Sequence, residues 1–367
     1  MIWGFLIAMA LWMAIFLFIN LNVSIEASEI EPNNDNQCLT IVIAARNEEG
    51  NLGSLVKSIA NQTWLPTQLE IRIVDDHSED GTYEEALALK RSYEHLNICV
   101  DMLKEGGGKK MALKQGLLNV SDGLIYLTDA DVCLNPNALL GLSNALNKNN
   151  AMVAFGVVLM TEQKGWKRLM TLENLNNQII TEAFISFQRP IMANGANMMF
   201  RSKTLGLYIQ SLNSGTVSGD DVFFAQSLTQ GQVVEAFDQR YAVITESPKS
   251  FRAFINQRIR WAAKSTNYES TLSKFFGALI LGLNLVFVFM MLALFLVQNP
   301  GWILMLLVFK VLLEYSFHSY WFRKYQIEHK LFDALILSLV YPVYTTVIAA
   351  LAILGVGFSW KGRSNIR

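Results

Sequence analysis

Apolar and polar stretches divide the chain into three parts. Ile2–Leu21 contains no charged residue and is long enough to span a bilayer. The middle of the chain, to about residue 265, alternates short β-branched runs with polar loops and amphipathic stretches. Three apolar blocks of span-like length follow: Phe275–Val297, Trp302–Tyr320 and Phe332–Leu354. The pattern therefore predicts a globular part with membrane helices at both ends.

The middle part predicts strand, loop and helix in repeated order, which is typical of a doubly wound α/β layer. Predicted strands cover Leu39–Ala44, Glu70–Val74, Ile98–Leu103 and the run from Leu124, and predicted helices cover Leu52–Asn61, Tyr83–Arg91 and Lys110–Asn119. Thr161–Arg189 is predicted helical, and Phe251–Ala263 is a second amphipathic helix with Arg258 among its charged residues. Both helices suit the bilayer interface or ordinary domain packing equally well.

Composition supports a membrane protein and excludes other classes. Hydrophobic residues make up 52% of the chain and the net charge is −1, so nothing points to nucleic-acid binding. The three cysteines form no C-x-x-C pair, which indicates reduced thiols and neither a disulfide framework nor a zinc site. No Lys or Arg precedes the first apolar run, so a retained anchor is favoured over a cleaved signal peptide.

The charged residues between the apolar blocks indicate which side of the membrane the globular part faces. They also give conflicting positions for the C-terminal tail. The segment Arg323–Lys330 is basic and should face the cytosol, which places the globular part there too. Three C-terminal spans would then put the basic tail at Lys361 outside, so either the tail breaks the rule or one block is not a full span. Lys310 and Glu314 are four residues apart inside the middle block, and we expect them to form a structural pair.

These patterns give a domain organisation. We predict an N-terminal anchor at residues 1–22, a linker at 23–37 and a cytosolic α/β catalytic domain at 38–265. A membrane region of about three helices follows at 274–357, and a tail closes the chain at 358–367. The protein should be a multi-pass protein of the cell (inner or plasma) membrane.

Two carboxylates at the end of the fourth predicted strand are the first candidate chemistry. Asp129 and Asp131 are separated by one residue, so in an extended segment both point to the same side. Adjacent carboxylates disfavour each other's ionisation unless a cation lies between them, and Mg²⁺ takes such ligands together with diphosphate oxygens. The alternative is that Asp131 starts a turn before Asn135-Pro136, because a lone D-x-D is common by chance.

Seven segments, in order, resemble the motifs of family 2 glycosyltransferases, which include cellulose, chitin and hyaluronan synthases and ceramide glucosyltransferase. They are Val42–Glu48 (V-I-A-A-R-N-E), Val74–Thr82 (V-D-D-x-S-x-D-x-T), Gly108–Gly116 (G-K-x-x-A-L-x-x-G), Asp129–Asp131 (D-x-D), Asn194–Arg201 (G-x-N-x-x-F-R), Gly219–Asp221 and Gln257–Trp261 (Q-x-x-R-W). The resemblance covers residues 39–265 and implies a GT-A fold, the α/β domain of nucleotide-diphospho-sugar transferases, with a mixed, mostly parallel sheet.

The resemblance also implies roles for the donor-side residues. The nucleotide sugar, UDP-linked in most members, would lie against Ala45, Arg46, Glu48, Asp75, Asp76, Lys109 and Asp129. Either Asp75 or Asp76 would accept a hydrogen bond from the base, and the motif does not distinguish them. Lys109 would bring a cation to the phosphates. Asp129 and Asp131 would hold Mg²⁺ or Mn²⁺ against the diphosphate.

On the acceptor side the resemblance implies Gly195 and Asn197, with Asp221 as the general base. The family usually has Glu before this Asp, and here Asp220 takes its place; we expect Asp220 to cap the helix Val222–Leu228. Gln257, Arg260 and Trp261 would close over the acceptor end, with Arg260 near the departing diphosphate and Trp261 stacked on a sugar. Their alternative is an interface helix with snorkelling arginines.

The expected function is an inverting, metal-dependent transfer of a sugar from a nucleotide diphosphate sugar to a membrane lipid. A processive polysaccharide synthase of the hyaluronan or poly-N-acetylglucosamine type is the alternative, because Q-x-x-R-W is common among polymerising members. About four membrane segments are few for a polymer channel, which favours the lipid. A non-catalytic membrane component with a nucleotide-binding domain is an alternative of another class. A dinucleotide oxidoreductase is excluded, since no G-x-G-x-x-G follows the first strand.

Overall fold

The computed structural model describes residues 2–23, 37–64, 66, 68–161, 164–214, 216, 218–361 and 363–366. They form two compact units. The helical unit comprises Met1–Glu26, Gln163–Ala183 and Pro248–Phe358, and the sheet unit comprises Ala27–Glu162, Phe184–Ser247 and Ser359–Arg367. The predicted catalytic segment 38–265 is therefore divided between the units. Most of the predicted linker, residues 24–36, lies outside the described residues.

Helices and strands are numbered in chain order. The helices are α1 Ile2–Asn22, α2 Leu52–Ala60, α3 Thr82–Ser92, α4 Lys109–Gly116, α5 Ala138–Lys148, α6 Trp166–Ser186, α7 Leu205–Leu212, α8 Asp220–Ser227, α9 Phe251–Ala263, α10 Thr271–Leu296, α11 Gly301–Phe322 and α12 Leu331–Ile353. The strands are β1 Leu39–Ala45, β2 Leu69–Asp75, β3 Ile98–Met102, β4 Leu124–Asp129, β5 Val132–Leu134, β6 Val153–Gly156, β7 Val158–Met160, β8 Met198–Arg201, β9 Val233–Ala236, β10 Val243–Thr245, β11 Phe358–Trp360 and β12 Arg363–Ile366.

In the described part of the chain, the main sheet has seven strands in the order β3-β2-β1-β4-β8-β6-β9. β1 runs parallel to β2 and β4, whereas β8 runs antiparallel to β4 and β6. The register pairs Ala45 with Asp75 and Ala44 with Asp129. The carboxyl ends of three strands therefore meet at one edge, where parallel α/β sheets place their ligands. This arrangement confirms the predicted α/β fold with a mixed, mostly parallel sheet.

The core explains why that edge is held in place. β1 is a β-branched run, and Ile41, Val42 and Ile43 are fully buried between helices on both faces of the sheet. Helix α4 packs against the strands so closely that a Cβ on Gly116 would lie 2.5 Å from Val42 Cγ1. This close approach needs glycine, and it fixes the start of α4, Lys109, beside the strand ends.

In the described residues of the helical unit, four helices are long and apolar enough to cross a membrane: α1, α10, α11 and α12. The predicted pair inside α11 is confirmed, since Lys310 Nζ lies 2.5 Å from Glu314 Oε1. Both residues are buried, and Ser338 of α12 donates to the second carboxylate oxygen. A charge pair that is satisfied in this way is compatible with an apolar environment.

Helices α6 and α9 of this unit differ from the prediction that the charged residues of an amphipathic helix face solvent. Arg258 was expected on the charged face of α9, yet it is buried and its Nε donates to both carboxylate oxygens of Glu173 on α6 at 3.1 and 3.0 Å. Tyr344 on α12 donates to the same carboxylate at 3.2 Å. The pattern of apolar and charged residues within α9 cannot reveal this pair, because the partner carboxylate lies 85 residues away in the sequence.

Candidate active site

The D-x-D carboxylates lie at the end of β4, but their backbone differs from the prediction. Asp129 is the last strand residue, and its carboxylate accepts a hydrogen bond from Lys109 Nζ. Asp131 lies in the tight turn that leads into β5, so the alternation of an extended strand does not orient it. The turn nevertheless brings the two carboxylates within electrostatic reach of each other.

Around Asp131, negative charge exceeds positive charge. The residue is exposed at the rim, yet protein around its carboxyl desolvates it, and the negative charges of Asp129 and Glu48 add to that effect. Together they raise the pKa of Asp131 to about 6. Lys361 and Lys109 offset this rise in part. Two repelling carboxylates on one turn are a fitting donor set for a hard divalent cation that also binds diphosphate oxygens.

No group of three or more His, Cys, Asp or Glu side chains arranged for a metal ion occurs among the described residues. Two carboxylates can bind a divalent cation together with oxygen ligands that a substrate supplies.

Lys109 connects these carboxylates to a second acidic pair. The protein packed around its ammonium would by itself lower the Lys109 pKa. The carboxylates of Asp129, Asp220 and Asp221 outweigh that effect, and the net pKa is raised above the ordinary lysine value. Residues from β4, α4 and α8 thus meet in one acidic cleft within the sheet unit.

Asp221 has the geometry of an oriented, accessible carboxylate. One oxygen accepts from the backbone N–H of Gly195 at 3.1 Å and the other from that of Val222 at 2.8 Å, while the residue stays partly exposed. A side chain on Gly195 would press against Asp221, because a Cβ there would lie 3.3 Å from the Asp221 Cβ. The glycine therefore positions the candidate base and leaves room for it.

Asp220 differs from its predicted role. Helix α8 begins at Asp220, and its N-cap is Gly219 in the left-handed conformation at φ +102°, so Asp220 is not the cap. Its buried carboxylate accepts from the hydroxyl of Tyr208 at 2.7 Å. Tyr208 was not singled out in the sequence, because no local pattern links a tyrosine on α7 to an aspartate twelve residues later.

The two aspartates after β2 have different partners. Asp75 closes its own turn, since one carboxylate oxygen accepts from the Ser78 backbone N–H at 3.0 Å. Asp76 reaches across to the glycine-rich loop, where the Gly108 N–H donates to it at 2.9 and 3.0 Å. Both residues are almost fully buried. Asp76 therefore ties the base-side loop to the loop that carries Lys109.

Arg46 and Ala45 form hydrogen bonds that hold the loop after β2. Arg46 is buried and donates to the carbonyls of Asp76 and His77 at 2.6 and 2.7 Å and to Glu79 at 2.9 Å. The carbonyl of Ala45 accepts from the Asp76 N–H at 2.8 Å. Direct contact of the Arg46 guanidinium with a nucleotide sugar, as the resemblance implies, would have to replace these bonds.

The structure also brings a residue to this rim that sequence reasoning treated as part of a basic tail. Lys361 Nζ lies 2.7 Å from Glu48 Oε1, and Arg46 Nε donates to the Lys361 carbonyl at 3.2 Å. Arg46 and Lys361 are 315 residues apart in the sequence. The K-G-R pattern of the tail showed the charge, but no local signal showed where it would lie.

Asn197, expected on the acceptor side, is fully buried in the sheet unit. Its Nδ2 donates to the carbonyls of Val157 and Tyr241 at 3.0 Å each, and its Oδ1 accepts from Tyr126 at 3.0 Å. The side chain fits so tightly that a Cβ on Gly156 would lie 2.2 Å from Nδ2. These contacts give Asn197 a structural role within the sheet unit.

The Q-x-x-R-W residues lie on α9 in the helical unit. Gln257 Oε1 accepts from Arg258 at 2.8 Å, and the Arg258 guanidinium stacks 4.3 Å from the ring centre of Trp261. Arg260 is partly exposed on the same helix. Arg258, which the motif leaves unspecified, thus contacts two of the motif residues, Gln257 and Trp261.

Comparison with known proteins agrees with this geometry. Residues 40–213 match the family model described as Glycosyl transferase family 2. Beta-monoglucosyldiacylglycerol synthase from a Nostoc species is 32% identical over 102 residues, which are 28% of this chain and 22% of that protein. Poly(ribitol-phosphate) beta-N-acetylglucosaminyltransferase TarP from Staphylococcus aureus is 27% identical over 118 residues, 32% of this chain and 36% of that protein. The chain spans less than half the length of both relatives.

Among solved structures, mannosyltransferase PcManGT from Pyrobaculum calidifontis, in complex with GDP-Man and Mn²⁺, has a TM-score of 0.59 and 17% identity. The match covers 91% of this chain and 98% of that one. At this identity the likeness concerns the fold, and it confirms the GT-A-like α/β architecture. Residues 40–213, slightly less than half of the chain, are therefore similar to glycosyl transferase family 2, and the strand-end carboxylates and the sheet topology agree with that similarity.

Proposed function

We propose that the chain is an inverting, divalent-metal-dependent glycosyltransferase that moves a sugar from a nucleotide diphosphate sugar to a membrane lipid. One observation carries the proposal: Lys109 donates to Asp129, and Asp221, which the Gly195 and Val222 N–H groups hold, lies close enough for its charge to act on the same ammonium. The cleft therefore combines an anion-binding cation, a metal-compatible carboxylate pair and an oriented carboxylate. These are the parts that a single displacement at a sugar carbon requires.

Asp221 acts as the general base. Its carboxylate, held by the Gly195 and Val222 N–H groups, takes the proton of the acceptor hydroxyl. The acceptor oxygen bonds to the anomeric carbon as the bond from that carbon to the diphosphate oxygen breaks. The electron pair of the broken bond leaves with the nucleoside diphosphate, and the configuration at the anomeric carbon inverts.

Negative charge develops on the leaving diphosphate, and Lys109 lies where it can bind that charge. A metal ion held by Asp129 and Asp131 would supply further Lewis-acid stabilisation of the leaving group. PcManGT was solved with GDP-Man and Mn²⁺, which supports Mn²⁺ or Mg²⁺ here. Asp75 and Asp76 line the base side, and both uridine and guanosine donors remain candidates.

A lipid acceptor is supported by the relative named for monoglucosyldiacylglycerol synthesis and by the four span-like helices. Gln257, Arg260 and Trp261 are proposed to act at the acceptor end. TarP is named for transfer to a polymer, which keeps a polymeric acceptor as the alternative to test.

We infer a topology for the tail from contacts within each unit. At one end of α1, Phe5 packs 5.7 Å from Trp302, and at the other end Asn20 accepts from Trp321 at 2.8 Å. α1 and α11 therefore run side by side in one direction, and α10 must cross back between them. Lys361 contacts Glu48 in the sheet unit, so the tail lies on the same side of the membrane as that unit.

Residues up to Ser247 and the tail from Ser359 belong to the same unit, although α10, α11 and α12 lie between them in the sequence. We propose that α10 and α11 are the two crossings and that α12 lies at the cytosolic interface. The middle of α12 supports this assignment, because it contains Pro342 and Tyr344, and Tyr344 bonds to the Glu173 carboxylate. The sheet unit and the tail both face the cytosol, where the basic segment Arg323–Lys330 is favoured.

A labelling experiment tests this topology. A cysteine added after Arg367 is treated with a membrane-impermeant maleimide in intact and in opened cells, with the exposed Cys133 as marker for the sheet unit. We expect both cysteines to react only in opened cells. Reaction of the added cysteine in intact cells would mean that α12 crosses the membrane.

Product analysis tests the proposed reaction. The purified chain, in vesicles of its membrane lipids, is incubated with radiolabelled UDP- or GDP-sugars and Mg²⁺ or Mn²⁺, and products are separated by thin-layer chromatography and on a gel. We expect one labelled, lipid-extractable product. A ladder on the gel would instead identify a polysaccharide synthase, and no transfer with any donor would favour a non-catalytic component.

A further inference from the structure

The end of the chain places a cation at the donor cleft. Lys361 follows the last residue of α12 by eight positions and lies in the sheet unit. Its Nζ is 2.7 Å from Glu48 Oε1 and 3.5 Å from the Asn47 carbonyl oxygen. Glu48 belongs to the loop after β1, directly beside the strand that ends in Asp129.

The backbone at Lys361 lies in the short connection between the paired strands β11 and β12, where positive φ values are common. Its φ is +47°, in the left-handed region that lysine rarely adopts. The Lys361 carbonyl accepts from Arg46 Nε at 3.2 Å, and the rest of that buried guanidinium binds the loop after β2. Arg46 therefore fixes Lys361 relative to both donor-side loops.

The ammonium can leave Glu48 without removing the last partner of that carboxylate. The Lys361 side chain is 29% exposed, whereas that of Glu48 is 8% exposed. The second oxygen of Glu48 accepts from Asn51 Nδ2 at 2.8 Å, so this carboxylate keeps a partner when the ammonium moves. The field of Lys361 also reaches Asp131, which places the cation within range of the D-x-D turn.

We propose that Lys361 is a donor-binding residue, whose ammonium moves from Glu48 to the diphosphate of the nucleotide sugar and completes the cleft together with Lys109. This inference rests on the proposed function, because it names a further binding residue of the same site. It also gives the interfacial position of α12 a role, since the tail reaches the cleft only from the same side of the membrane.

Binding measurements test the proposal. The full-length protein in detergent, with Mg²⁺ present, is titrated with nucleoside, nucleoside monophosphate and nucleoside diphosphate of the uridine and guanosine series. Lys361→Ala should weaken diphosphate binding about tenfold or more, the loss expected for one hydrogen bond between charged groups. Nucleoside binding should stay within about twofold, and Lys361→Arg should restore most of the diphosphate affinity.

Lys203→Ala is the matched control, because Lys203 is an exposed lysine of the same unit that follows β8. It should bind all ligands as the wild type does, and melting temperatures confirm that each variant is folded. Unchanged or tighter diphosphate binding by Lys361→Ala overturns the proposal, and so does an equal loss for nucleoside and diphosphate. If the wild type binds diphosphate but transfers no sugar, the proposed function fails and this inference stands; if the wild type binds none, both fail.

Discussion

The two units treat charged side chains in opposite ways. In the described part of the helical unit, buried charges have partners: Arg258 pairs with Glu173, Lys310 with Glu314, Lys324 with Glu182, and Asp333 with Arg168. In the cleft of the sheet unit the carboxylates outnumber the cations, since Asp129, Asp131, Asp220, Asp221 and Glu48 share Lys109 and Lys361. The cleft residues Asp131, Lys109 and Lys361 also keep contact with solvent.

This difference distinguishes charged residues that stabilise the fold from charged residues that are suited to bind a ligand. A balanced buried pair loses stability when one partner is removed, because the other is left uncompensated. A surplus of negative charge at a rim costs stability in the free protein and is relieved when a cation binds. The following substitutions test this distinction, beginning with the largest expected effect.

Replacing the candidate base should abolish turnover and leave the fold intact. Asp221→Asn keeps an oxygen for the Gly195 N–H but removes the proton acceptor. We expect sugar transfer to fall by about 10²–10⁴-fold, the range for loss of general base catalysis. Donor affinity, measured by titration, should stay near that of the wild type. Transfer within about threefold of the wild type would remove Asp221 from the mechanism.

Removing one partner of a buried ion pair in the helical unit should instead lower the stability of the fold. Glu173→Ala leaves Arg258 buried without its carboxylate, which should cost about 3–5 kcal/mol of stability. Thermal unfolding in detergent measures this effect. Glu328→Ala is the control, because Glu328 and its partner Lys330 are largely exposed and such pairs contribute about 0–1 kcal/mol. Equal melting temperatures for the two variants would contradict the distinction between the units.

Removing one surplus carboxylate should change metal-dependent donor binding. Asp131→Asn should weaken nucleoside diphosphate binding about 10–100-fold in Mn²⁺ or Mg²⁺, because a charged ligand is lost. With chelator present the same variant should bind as well as or better than the wild type, since one repelling charge is gone. Asp122→Asn, which precedes β4 at the far end of the strand, is the control. A loss that is equal with and without metal would refute the metal role of Asp131.

The smallest effect is expected for Asn197, and it tests whether this residue has a structural role or the acceptor-side role that the motif implies. Asn197→Ala removes three buried hydrogen bonds and should cost about 1–3 kcal/mol of stability. Activity of the folded fraction should be retained, as measured by transfer assays normalised to folded protein. If Asn197 instead contacted the acceptor, transfer would fall while the melting temperature stayed unchanged.

The fold and the strand-end loops were predictable because their signals are local. β1 and β4 are short apolar runs that end in polar residues, and parallel strands bring those ends to one edge. The family motifs added the roles of Lys109, Asp131 and Asp221, which the structure brings together in the cleft; these roles remain proposals.

What the sequence did not show depends on long-range packing. The burial of Arg258 against Glu173 and the contact of Lys361 with Glu48 join residues far apart along the chain. Asn197 matched an acceptor-side motif, yet its environment is set by carbonyls of Val157 and Tyr241 that no motif includes. A motif states which residue types recur, whereas the side-chain direction is decided by the neighbours that the fold supplies.

The anomeric configuration of the product tests the central claim most directly. The labelled lipid product is purified, and the coupling of its anomeric proton is compared by NMR with that of the donor sugar. Direct displacement with Asp221 as base predicts an inverted anomer, so that an α-linked donor gives a β-glycoside. A product that retains the configuration of the donor would contradict this account of the cleft.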